Sequence, residues 1–165
     1  MTMSPKQPEA ERNVQFEPEF MAVLKHVTEE FVSFNKVLGL QLESATASTA
    51  SAWMEMKPEL VGHPAIQRIH GGAISAALDA MGGIATMAAI GGKHMDESVM
   101  QRTERFGRIS TIDLRVDYIR PGIGKRFQVR AEVLRLGSRV ATTRMEFLSE
   151  AGELLSAGMA AYIVS

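Results

Sequence analysis

The sequence predicts an α+β domain: a curved antiparallel sheet of five to six strands wrapped around one long central helix, with an extra helix ahead of it. Three observations carry that prediction. From Gly71 to Ile90 the chain is apolar nearly all round, which marks a buried helix rather than a surface one. After Ile109 the apolar residues pass from helical spacing to alternation, the pattern of half-buried strands. Short glycine turns separate those strands, so sequence neighbours pair antiparallel. A lone apolar helix must be covered, and the sheet is the only material left to cover it.

The elements follow in order. Residues 1–16 are polar, lack the apolar core of a signal peptide and read as a disordered leader; residues 17–165 form the single domain. Phe20, Val23, Leu24, Val27, Phe31 and Phe34 recur at helical spacing from Pro18 to Val37, with Gly39 as the stop. Leu40–Ala47 and Ala50–Met56 read as two strands. Glu59–Ile69 is a loop with a short strand or turn, broken by Gly62 and Pro64. In the central helix Ser75, Asp79 and Thr86 fall on one narrow stripe, so one side of an oily rod faces something polar. Gly82 and Gly83 each cost that helix about 1 kcal/mol relative to alanine, which implies that another backbone or a ligand must come close there. The charged stretch Gly91–Arg108 is a long linker with room for a short helix.

The C-terminal part is a meander. Ile112, Leu114, Val116 and Tyr118 alternate with Thr111, Asp113, Arg115 and Asp117, giving one apolar and one charged face. Phe127, Val129, Ala131 and Val133 alternate in the next strand until Leu134-Arg135-Leu136, where the face switches and a bulge or strand end is expected. Strands over Val140–Leu148 and Leu154–Val164 follow the turns at Gly137-Ser138 and Ala151-Gly152.

Composition excludes several classes. With 165 residues, 45% apolar and 22% charged, the chain is an ordinary one-domain globular protein. A net charge of -1, no basic run and no aromatic platform leave nucleic-acid binding without support. Asp79 in the middle of the Ala73–Gly92 stretch argues against a membrane span, because a central Asp costs about 2.5–3.5 kcal/mol on insertion scales. No cysteine is present, which suits the cytoplasm and removes thiolate chemistry and disulfides. His63, His70 and Asp79 match no zinc spacing, and neither a metal nor a cofactor is expected. Most of the eleven methionines read as core filler.

The chemistry concentrates where a loop enters the central helix. The first amides of a helix have no internal partner, and Gly71-Gly72 leave them uncovered at the positive end of the helix dipole. That is an oxyanion-type site. Two turns on, Asp79 offers a carboxylate in an apolar setting with no cation on its stripe, where burial and water tune it as base or nucleophile. A structural Asp there would need a partner. His70 reads as a residue that satisfies backbone groups at the turn.

His70-Gly71-Gly72, Leu78-Asp79 and the run Ser110–Gly122 together resemble the hotdog-fold acyl-CoA thioesterases of the PaaI-like type, over roughly Phe34–Val164 in element order. The resemblance implies hydrolysis of an acyl-CoA, with Asp79 as the catalytic carboxylate. It implies that the Gly71 amide polarises the thioester carbonyl and that Thr111 helps hold the attacking water. It implies a homodimer, and a homotetramer built from it, in which Gly71 of one subunit meets Asp79 of the other. Arg120 and nearby basic residues, among Arg102, Arg105, Arg108, Lys125 and Arg126, are then candidates for the CoA phosphates. Relatives often carry Asn or Gln a few residues before the His; here His63, Pro64 and Gln67 occupy that region, and His63 and Gln67 with His70, Gly72 and Arg120 are the candidate substrate contacts. The competing reading is a non-catalytic acyl-CoA binding or sensing protein of the same fold. A hydratase fits less well: those set a catalytic His ahead of a helix bearing an acidic residue, an arrangement that the His70-Gly71-Gly72 entry does not favour.

Overall fold

The computed structural model describes residues 15–165. The expected leader falls outside the described residues except for Gln15 and Phe16, and the Phe16 ring packs on Phe20 with centroids 4.7 Å apart. The elements are α1 (Pro18–His26), α2 (Ser33–Leu38), β1 (Leu40–Ala45), β2 (Thr49–Glu55), β3 (Val61–His63), β4 (Arg68–Ile69), α3 (Gly71–Lys93), α4 (Val99–Glu104), β5 (Ser110–Tyr118), β6 (Arg126–Leu136), β7 (Val140–Ser149) and β8 (Leu154–Ile163). Six strands form one antiparallel sheet in the order β1-β2-β6-β7-β8-β5, and α3 packs across it. The expected meander holds for β6, β7 and β8 only: β5 does not pair with the next strand β6 but crosses to the far edge beside β8, because β2 takes the free flank of β6. This is the hotdog fold.

The core lies between α3 and the sheet. Leu78, Met81 and Ile84 from the helix meet Met54, Phe127, Val129, Met145 and Phe147 from the strands, all nearly inaccessible. Phe127 and Phe147 stack with centroids 5.1 Å apart. Each such side chain contributes about 1.5–3 kcal/mol by leaving water, which is what holds a helix rich in Ala and Gly in place. Among the described residues α3 is the one helix long and apolar enough to cross a membrane, but 61% of its most apolar window is buried within the molecule.

The first helix differs from expectation. The predicted continuous helix over Pro18–Val37 breaks into α1, a single π turn over Val27–Phe31 and α2, with Val32 in extended backbone between them. The Thr28 hydroxyl donates to Leu24 O at 2.7 Å, a back-bond that bends helices, and the Glu29 carboxylate accepts the Leu42 amide at 2.9 Å, tying the turn to β1. Phe20 and Leu24 are buried as the periodicity requires, but Phe31 and Phe34 are 73% and 59% exposed, because the bend turns them off the apolar stripe. Gly39 closes α2 with a left-handed φ of 75°, the conformation glycine adopts without strain.

Two register irregularities matter. The face switch near Leu134 is a bulge between Val133 and Arg135. A second bulge, which alternation alone hides, lies between Thr111 and Asp113 on β5. The charged linker contains the short helix α4, capped by Ser98 and Gln101 reciprocally. Its Arg102 is not solvated: it is buried, pairs with Glu17 and stacks over Phe20 at 4.5 Å.

Candidate active site

Asp79 lies midway along α3, half-buried, and no cation pairs with it among the described residues. Its Oδ1 accepts hydrogen bonds from Thr111 Oγ1 at 3.0 Å and from the Tyr162 hydroxyl at 3.1 Å. Both donors come from the sheet, where Thr111 on β5 and Tyr162 on β8 are register partners. Strict alternation groups Thr111 with Asp113, Arg115 and Asp117 on the outward face. The bulge beside Ile112 adds one residue, so Thr111 shares the helix-facing side with Leu114 and Val116, while Ile112 is 58% exposed. Burial first, and then the Asp79 charge, pushes the Tyr162 phenol far above its ordinary range, so it stays a donor.

Asp79 opens into a cleft of about 300 Å³ walled by Val27, Val32, Ala80, Gly83, Met87 and Ile109. The bent N-terminal segment forms one wall, which is the structural consequence of the break at Val32. The two glycines of α3 have different causes. A side chain on Gly82 would collide with the Tyr162 hydroxyl, so a tyrosine ring, not a backbone or ligand, occupies that space; a side chain on Gly83 would meet nothing and would point into open space at this cleft.

The N-terminus of α3 opens on the other side, into a cleft of about 570 Å³ lined by Arg68, His70, Gly71, Gly72, Tyr118 and Arg120 among others. His70 is the N-cap: its Nδ1 accepts the Gly72 amide at 2.8 Å. The Gly72 amide is therefore occupied, and the Gly71 amide is the one that donates to nothing among the described residues. The Tyr118 hydroxyl donates to Gly71 O at 2.9 Å and fixes the strand end against the helix start.

The structure thus brings Asp79 and Thr111 together, and Gly71, Gly72, His70 and Arg120 together elsewhere. It leaves His63 and Gln67 exposed and outside both clefts, with the Gln67 side chain turned back on Pro64 O at 2.8 Å. The polar stripe does not act as one surface: Ser75 donates to Gly72 O, and Thr86 is buried and donates to Gly82 O, because each satisfies its own helix. No patch unites the arginines. Arg105 pairs with Glu97, Arg120 with Glu153 and Arg126 with Glu55 while lying over the Trp53 ring. Sequence reading missed Tyr162, Tyr118 and the N-terminal wall. Tyr162 alternates within an apolar strand, and only strand pairing reveals that its hydroxyl reaches the helix.

Comparison with known proteins points the same way. Residues 67–156 match the family model of the thioesterase superfamily. The chain is 38% identical over 144 residues to the medium/long-chain acyl-CoA thioesterase YigI of Salmonella typhimurium and of Escherichia coli, covering 86% of this chain and 93% of the relatives. A crystal structure from Shewanella oneidensis, related to the thioesterase superfamily, is 35% identical with a TM-score of 0.81 and covers 91% of this chain and all of that one. Zebrafish thioesterase superfamily member 2, at 17% identity and a TM-score of 0.70, covers 92% of this chain and 100% of its own and shares the fold.

Proposed function

Because this chain belongs to the thioesterase superfamily and is an acyl-CoA thioester hydrolase, we propose that its reaction runs at a site shared by two copies of the chain, with Asp79 from one and the Gly71 amide from the other. The acyl carbonyl oxygen takes the Gly71 N–H, where the helix dipole favours the developing negative charge. Asp79 takes a proton from water, whose oxygen bonds to the acyl carbon, or attacks that carbon itself. The carbon–sulfur bond breaks: in the first case the sulfur takes the proton from Asp79 and CoA leaves as a thiol; in the second CoA leaves as a thiolate, and water then hydrolyses the acyl–Asp79 anhydride, releasing the acid, restoring the carboxylate and supplying the thiolate's proton. Thr111 orients the Asp79 carboxylate.

The observation that carries this reading is Asp79 itself: a carboxylate without a cation, held by neutral hydroxyls and open to an apolar cleft. Asp79 is half-buried and pairs with no cation among the described residues, whereas a carboxylate that serves only structure inside a protein is ordinarily paired. The aliphatic lining of that cleft suits a medium or long acyl chain, the class named for the 38%-identical relatives. The Gly71 cleft, with Arg68 and Arg120 at its rim, suits the CoA side. Dimerisation is supported by β5, a nine-residue edge strand with an open backbone flank and an exposed Ile112. A chain without cysteine suits the cytoplasm.

The test is release of free CoA, followed with a thiol reagent, from acyl-CoAs of graded length. Asp79→Asn is expected to lower kcat by about 10²–10⁴. An Asn variant with full activity removes Asp79 from the mechanism. Tight acyl-CoA binding by the wild type without CoA release would support a sensing protein instead.

A further inference from the structure

We propose that Tyr162 is a positioning residue that, together with Thr111, ties down Oδ1 of Asp79 and leaves Oδ2 as the atom that reacts; this rests on the reading of Asp79 as the catalytic carboxylate. The Tyr162 hydroxyl donates to two acceptors on one residue, Asp79 Oδ1 at 3.1 Å and the Asp79 backbone oxygen at 2.9 Å. A three-centred bond that spans a side chain and its own backbone fixes the torsion between them. Thr111 Oγ1 adds a second donor to the same Oδ1 at 3.0 Å. Oδ2 accepts no hydrogen bond among the described residues. The two carboxylate oxygens are therefore not equivalent: one is held by the sheet, the other is free for the acyl carbon or the water.

The donors are suited to this task. Both are neutral, so they orient the charge without the quenching that a lysine or arginine would bring. Thr111 and Tyr162 face each other across β5 and β8, which makes their separation a property of the sheet rather than of two flexible side chains. The Tyr162 ring is 2% exposed and fills the space that Gly82 leaves by having no side chain. Burial, and then the neighbouring Asp79 charge, keep the phenol protonated, so it remains a donor wherever the carboxylate is charged.

The experiment is a kinetic cycle of Tyr162→Phe, Thr111→Val and the double variant, with Asp79→Asn as reference. Phe keeps the ring in its slot and removes only the hydroxyl; melting curves confirm the fold. Expected are a kcat in Tyr162→Phe at least about tenfold below wild type with KM within about twofold, because a hydrogen bond to a charged group is lost while the binding cleft is kept. The double variant is expected to depart from the product of the single losses by about threefold or more, since both hydroxyls hold one atom. A kcat within about twofold of wild type, a loss matched by a rise in KM, or losses that simply multiply would overturn the positioning role. If Asp79→Asn is inactive while Tyr162→Phe is normal, only the role of Tyr162 falls; if Asp79→Asn is active, the catalytic reading of Asp79 falls with it.

Discussion

Gly71 and Asp79 lie eight residues apart on α3, about 12 Å along the helix axis, and open into clefts that share no lining residue. One thioester cannot touch both within a single chain. A shared site makes a specific prediction. Gly71→Pro removes the amide proton at the first helical position, where the helix backbone accepts proline, and His70 at φ -70° and ψ 134° already has the backbone that precedes proline; the Tyr118 ring, 3.2 Å from a side chain placed there, has to give slightly. Gly71→Pro and Asp79→Asn are each expected to be inactive. Mixed and reassembled at equal amounts, they are expected to recover about one quarter of wild-type activity, since half the dimers are mixed and each holds one intact site. No recovery in dimers shown to have exchanged subunits counts against a shared site.

The neighbouring glycines of α3 are expected to respond with opposite signs. In a helix Gly→Ala gains about 0.5–1 kcal/mol in backbone terms. At Gly83 the new methyl meets nothing, so Gly83→Ala is expected to stabilise by roughly that amount. At Gly82 it collides with the Tyr162 hydroxyl, and overpacking costs about 1–3 kcal/mol, which outweighs the backbone gain. Thermal melting of the two variants checks the signs, and equal shifts would rule out the assigned contacts.

Gly83 also sets the room beside Asp79. Gly83→Leu is expected to fill part of the cleft and to shift preference toward shorter acyl chains. Each methylene denied burial removes about 0.8 kcal/mol, so the ratio of kcat/KM for long over short acyl-CoAs should fall roughly tenfold or more. A chain-length profile that keeps its wild-type shape would show that the acyl chain runs elsewhere.

Glu43 on the outer face of the sheet predicts a pH dependence of stability. The Trp53 indole, then Gln128 and Ser51, donate to its carboxylate and hold it below the usual range. A lowered folded-state value means that the stabilisation is complete above the unfolded value, about 4.3, and is lost as pH falls through the folded one. Glu43→Gln is expected to be less stable than wild type at neutral pH and to converge with it in acid. Denaturant titrations at several pH values measure the gap, and a gap that is constant with pH would contradict this account.

Much of the fold was legible because its signals are local. The all-round apolarity of residues 71–90 predicted the central helix, which extends three residues further to Lys93. Alternation at Phe127, Val129, Ala131 and Val133 predicted the inward face of β6, and the break at Leu134 predicted its bulge. The first helix was only partly legible. Its period is helical, but the Thr28 back-bond and the Glu29–Leu42 contact decide where it bends, and the second of these joins residues far apart in sequence.

By itself the sequence determined the central helix, the strand segments along the chain and the placement of one acid inside an oily stretch, since these follow from the spacing of apolar residues along a regular backbone. Only the tertiary structure decided what that acid touches. One extra residue in β5 turns Thr111 toward α3, strand pairing sets Tyr162 opposite it, and a bend at Val32 builds the wall of the cleft. A bulge reverses which face a side chain takes, and contacts across the sheet join residues distant in the chain, so neither leaves a periodic trace in the sequence.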